Sequence, residues 1–150
     1  FSFAFAVNAI GFFVASQFSS NLARRMGTLR MIRLATFGFA LATFAGFALG
    51  LAGLATLPVT MAALFIGNIF LGVILPTAQV QALEDHGSNA GLASSLGGTM
   101  QMVAAGALVA AAGPFLDGTV VPMQGAIALC GALALGLSLV IPRQAAVAGT

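Results

Sequence analysis

The stretch from Pro58 to Leu83, PVTMAALFIGNIFLGVILPTAQVQAL, runs 26 residues without a single charge, and its length decides the fold. An α-helix rises 1.5 Å per residue, so this run spans about 39 Å as a helix. About 20 mostly apolar residues suffice to cross the hydrocarbon core of a bilayer. Moving outward in both directions, long apolar runs return four times, over Ser2 to Leu22, Met31 to Ala52 with Arg33 just inside its start, Ala90 to Phe115 and Val120 to Ile141. The sequence therefore predicts an all-α membrane protein with five transmembrane helices within one bundle over residues 1–150.

Composition agrees. Charged residues make up 5% of the chain and hydrophobic residues 60%, and Lys is absent. A water-soluble domain carries about a quarter of its residues as charges. So sparse a set of charges cannot clothe a surface in water.

The few charges lie between or beside the spans. Arg24, Arg25, Arg30 and Arg33 cluster at the first gap, Glu84, Asp85 and His86 fill the third, Asp117 lies in the fourth, and Arg143 follows the last span. An Arg at the centre of a membrane helix costs about 2.5–3.5 kcal/mol on insertion scales, so the cluster is expected in a loop. Basic loops stay on the cytoplasmic side. Residues 23–30, 84–89 and 142–150 are then cytoplasmic, and the second and fourth gaps face outward.

Several other classes are excluded. The first apolar run lacks a basic leader and has its Arg residues after it, the wrong polarity for a secretory signal; opening on Phe1 inside an apolar run, the chain reads as part of something longer. The single cysteine, Cys130, allows no internal disulfide, and His86 lacks companions at metal-ligand spacing, so no metal site is expected. Phosphate-binding, dinucleotide-binding and nucleophile-elbow motifs are missing, and no cofactor is expected. The high isoelectric point comes from one Arg cluster, which suits topology or anionic lipid and not nucleic acid.

Polar residues inside spans are costly and usually face protein or water. They fall unevenly. Asn8 and Gln17 lie in the first span, Asn68, Gln79 and Gln81 in the third, and Gln101 in the fourth, whereas the second and fifth spans are oily, with Gln124 only near an end. Asn68 and Gln101 each sit near mid-span, and amides both donate and accept. Two readings are open: hydrogen-bonded glue between helices, or the lining of a cavity. Met100 and Met102 flank Gln101 as adaptable apolar contacts or plain core filling. Gly38, Ala42, Gly46 and Gly50 recur at every fourth position and make a smooth packing face. Pro76, inside the third span, predicts a kink.

Two strings resemble a known family. Asn21-Leu22-Ala23-Arg24-Arg25-Met26-Gly27-Thr28-Leu29-Arg30 is similar to the loop motif G-x-L-A-D-R-x-G-R-R of the major facilitator superfamily. Leu22, Ala23, Arg25 and Gly27 match, while Arg24 replaces the usual Asp and Ser20 the first Gly, which puts the loop's gating salt bridge in doubt. Ala90-Gly91-Leu92-Ala93-Ser94-Ser95-Leu96-Gly97-Gly98-Thr99-Met100-Gln101 looks like the penultimate helix of the Bcr/CflA-type drug-resistance branch.

This resemblance covers essentially the whole chain and implies the eighth to twelfth helices of a twelve-helix transporter, most of its C-terminal six-helix bundle. It implies alternating access, with proton-coupled efflux of drugs or other amphiphiles across a bacterial inner membrane. The N-terminal half of the transporter, the lipid bilayer and a small-molecule substrate are the implied partners, and the proton gradient is the implied energy source. Asn8, Asn68, Met100, Gln101 and Met102 would line the substrate cavity; Arg24, Arg25, Gly27 and Arg30 would form the cytoplasmic gate loop. No acidic residue lies at membrane depth here, so a coupling acid would belong to the other half. A symporter for a sugar or organic acid keeps the fold and changes the cargo. A structural membrane subunit is the alternative without transport. A membrane-embedded enzyme would need a catalytic constellation, and the sequence offers none.

Overall fold

A computed structural model describes residues 2–54, 56–84, 89–115 and 119–140. Among these, every regular element is helical: α1 (Ser2–Met26), α2 (Thr28–Leu51), α3 (Leu57–Glu84), α4 (Ala90–Ala112), followed by a single 3-10 turn (Gly113–Phe115), and α5 (Val121–Val140). The five expected spans are thus five helices. Four stretches, Thr28–Leu51, Leu57–Leu83, Ala90–Phe115 and Val121–Val140, are long and apolar enough to cross a membrane. At 25 residues α1 is as long as its neighbours, and it is the most polar of the five.

The first gap differs from expectation. Arg24 and Arg25 lie in the last turn of α1, and Arg30 and Arg33 fall in the first turns of α2, so residues 23–30 are two helix ends and not an open loop. A helix longer than the hydrocarbon core carries its last turn out into the polar region. Cations there also meet the negative end of the helix dipole. Only Gly27 breaks the run, with φ +82°, a left-handed conformation that favours glycine.

At the far end of α2 a second glycine, Gly53 at φ +72°, closes the helix. The Leu54 N–H donates to the Leu49 carbonyl at 3.0 Å and the Gly53 N–H to Gly50 at 3.1 Å. This pair is the Schellman arrangement, which satisfies carbonyls that a helix end would otherwise leave bare. Pro58, in the first turn of α3, lacks an N–H that has no helical partner there anyway. Asn89 occupies the position before α4, as expected for a cap, yet makes no side-chain capping hydrogen bond.

Helix α3 is central, with α1 on one side and α2 on the other, and α2 packs in turn on α5. Gly46 meets Ala63 while Gly67 lies beside Phe39, so α2 and α3 are antiparallel. Gly50 near Val121 and Arg33 bonded to Ser138 give the same relation between α2 and α5. Consequently the ends of α1, α3 and α5 and the start of α2 share one end of the bundle. The Arg residues gather there, as the expected topology requires. Residues 85–88 and 142–150, with Asp85, His86 and Arg143, and also Asp117, lie outside the described residues.

The core is built mostly from alanines, with Met31 and Phe39 as its large members: Ala15, Met31, Ala35, Phe39, Ala40 and Ala128 are buried. Gly46 and Gly50 of the expected smooth face are buried at the α2–α3–α5 seam, and Gly38 abuts Phe70. Phe5, Phe13, Phe18, Leu41 and Leu139 are by contrast all more than 60% exposed. Apolar surface on this scale belongs in lipid or against another protein. The described chain has the character of a multi-pass membrane protein.

Helix α4 stands apart. It has no buried residue, and nothing lies within 4 Å of where a Cβ would stand on Gly91, Gly97, Gly98 or Gly106. Its large apolar side chains are left uncovered, Leu92, Leu96, Val103 and Val109 each at least 60% exposed, so this helix buries little area against its neighbours here.

Candidate functional site

Helix geometry brings two of the expected residues into contact. Asn8 comes from α1 and Asn68 from the middle of α3, and the Nδ2 of Asn68 donates to the Oδ1 of Asn8 at 2.9 Å. Both side chains are half-buried. In a membrane an amide without a partner is expensive, and this bond satisfies one group of each at once.

The pair lies in the wall of a cleft of about 1000 Å³ between α1, the first half of α3 and the start of α5. That is the upper end of the range for small-molecule sites. Its walls are mainly Phe, Leu, Ile and Met, among them Phe5, Phe12, Met61 and Leu64. Thr60 joins Asn8 and Asn68 as a polar member, and no charged side chain lines it among the described residues. Thr60, Leu64 and Asn68 are spaced at i, i+4 and i+8, which sets them on one face of α3. The cleft occupies the end of the bundle opposite the Arg cluster.

The other expected cavity residues are elsewhere. Gln101 is exposed on α4, and Met100 and Met102 beside it are 65% and 75% exposed. None of the three lines the cleft. Of the expected five, then, the structure joins Asn8 to Asn68 and leaves the α4 group apart.

Arg24, Arg25 and Arg30 are exposed at the opposite end, with Gly27 between them as the break. Arg33 is half-buried instead, and its Nε donates to the Ser138 carbonyl at 3.2 Å, in the last turn of α5. A cation at a helix C-terminus is stabilising. Pro76 lies within α3, which continues helically to Glu84. Lacking an N–H, Pro76 leaves the Gly72 carbonyl without its usual helical donor. Among the described residues no group of three His, Cys, Asp or Glu is placed to hold a metal ion.

Sequence reasoning missed Gln124. Placed near an end of an oily span, it is in fact 5% exposed. Its Nε2 donates to the Thr60 Oγ1 at 3.4 Å, and its Oε1 is buried without a partner. Gly50 makes the room: a Cβ there would stand 2.6 Å from that Oε1. The glycine repeat ending at Gly50 was the available signal, because a smooth face implies something bulky opposite.

Comparison with protein-family models, curated proteins and solved structures gave no match. The resemblance to the major facilitator superfamily therefore rests on the motif residues quoted above.

Proposed function

We propose that this chain is the greater part of the C-terminal bundle of a major facilitator transporter of the Bcr/CflA type, exporting neutral or lipophilic amphiphiles in exchange for protons. The observation that carries the reading is the asparagine pair set in a large apolar cleft without a charged wall residue. An apolar cleft with a few placed polar groups suits a small amphiphilic molecule. A charged substrate would call for an opposite charge, and the cleft walls supply none.

In this reading the cleft opens on the outer side of a bacterial inner membrane. The Arg-bearing end, with residues 23–30, 84–89 and 142–150, faces the cytoplasm. The N-terminal half of the transporter supplies the rest of the cavity and the acidic residue that binds the proton. Rocking of the two halves about a midplane site would carry the cargo across.

A second reading is a non-transporting structural subunit. The direct bond between Asn8 and Asn68 favours it, since that is what helix-joining amides do. One experiment separates the two. Expression of the full-length protein in a drug-sensitive host is expected to raise drug tolerance and drive proton-dependent drug efflux. The double variant Asn8→Leu with Asn68→Leu is expected to lose both while remaining in the membrane. Wild-type protein at normal abundance with no gain in tolerance and no drug flux removes the efflux reading.

A further inference from the structure

Thr60 differs from the other threonines whose bonding is visible. Thr36, Thr43, Thr77 and Thr99 each turn the hydroxyl back on their own helix and donate to the carbonyl four residues earlier. Thr60 instead accepts, from the Nε2 of Gln124 across the α3–α5 interface. A hydroxyl has one proton and two acceptor positions. With one acceptor position occupied by Gln124, the proton is left for another acceptor, and Thr60, buried at 7% exposure, is among the residues that line the cleft.

Gln124 is buried against the glycine face of α2. Its amide is pressed against the bare backbone of Gly50, with the Cγ2 of Val121 also beside Gly50, and Gly46 lies on its Nε2 side. Its Oε1 is left buried without a partner, which costs stability. The fold carries that cost while aiming the Nε2 at Thr60.

We infer that Thr60 is a hydrogen-bond donor to the cleft's ligand and that Gln124, acting through Thr60, is its positioning residue. The ligand class is a neutral, ring-bearing molecule with a carbonyl, ether or ring-nitrogen acceptor. Eight residues along α3 separate Thr60 from Asn68, about 12 Å at helical rise. A second polar group on a longer ligand reaches the asparagine pair at that distance. This inference rests on the cleft being a ligand site, as proposed above.

The test compares 9-fluorenone with fluorene, two flat tricyclic molecules of one shape, of which only the first carries a carbonyl. The full chain in nanodiscs is titrated with each, and the infrared carbonyl stretch of bound 9-fluorenone is recorded. Wild-type protein is expected to bind 9-fluorenone about tenfold more tightly than fluorene, the value of one hydrogen bond, with the stretch lowered. Thr60→Val is expected to bring the ratio of the two affinities to about one and to erase the lowering, and Thr60→Ser to restore both. Gln124→Met is expected to broaden the carbonyl band and reduce the preference at constant fluorene affinity, which a purely structural role would not do.

Equal binding of both molecules by wild-type protein, with an unshifted stretch, would mean that Thr60 spends its proton on Gln124. That result overturns the inference and leaves the cleft standing, provided Ala9→Phe, which puts a ring into the cleft wall, weakens binding of both molecules. Binding that Ala9→Phe leaves untouched is partition into lipid, and overturns both the inference and the cleft reading beneath it.

Discussion

Gly72 turns its bare α-carbon toward the backbone carbonyl of Phe12, so that α1 and α3 meet with no side chain between them at that level. A Cβ on Gly72 would collide with that carbonyl oxygen, and the Cβ of Ala15 would stand only 3.1 Å away. A flexible side chain could swing aside; a helix backbone cannot. Such close approach is how membrane helices gain packing energy without a hydrophobic drive between them.

Gly72→Ala is therefore expected to destabilise the bundle by about 1–3 kcal/mol, the usual range for forcing atoms into a packed interface. Gly98→Ala on α4, where nothing lies within 4 Å of the new Cβ, is expected to leave stability unchanged or raised by up to about 1 kcal/mol through helix propensity. Thermal unfolding of both variants in one detergent checks the pair. Equal effects at the two sites would mean that α1 and α3 do not pack as described.

How much of this was legible beforehand depends on the scale of the feature. Span number and boundaries follow from the length of uncharged runs, which the bilayer fixes, so Pro58 to Leu83 became Leu57–Glu84. The pairing of Asn8 with Asn68 was half legible. Their span depth was visible, but whether two amides meet depends on helix rotation, which a nearly all-apolar helix does not reveal by periodicity. Gln124 was judged by its position along the span, whereas its burial comes from the glycine face of α2 opposite. The Arg residues were assigned to a loop on insertion cost alone. That argument concerns depth and says nothing of backbone conformation, so Arg24 and Arg25 sit at a helix end and not in an open loop.

The bond between Asn8 and Asn68 invites a double-mutant cycle. Interhelical polar contacts in membrane proteins average about 0.6 kcal/mol of coupling. Asn8→Leu and Asn68→Leu are each expected to destabilise, because each removes one member of this half-buried interhelical bond. The double variant is expected to lose less than the sum of the two by about that amount. Strict additivity, measured by chemical unfolding in one detergent, would show that the two side chains do not interact.

The Arg-bearing end also fixes a prediction about sidedness. Thr28 opens α2 directly after the Gly27 break and lies between Arg25 and Arg30, at the end of the bundle shared by the last turns of α1, α3 and α5. Cys130 is the natural cysteine and is partly exposed, so it is first replaced by Ala. A membrane-impermeant thiol reagent is then expected to label Thr28→Cys only in inside-out vesicles, and a cysteine replacing Leu54, in the α2–α3 turn at the other end, only from outside. The two sites stand at opposite ends of α2 whatever the orientation, so the Leu54 variant tests the helix and the Thr28 variant the direction. Labelling of Thr28→Cys from outside would invert the assignment of sides. It would also turn the cleft toward the cytoplasm.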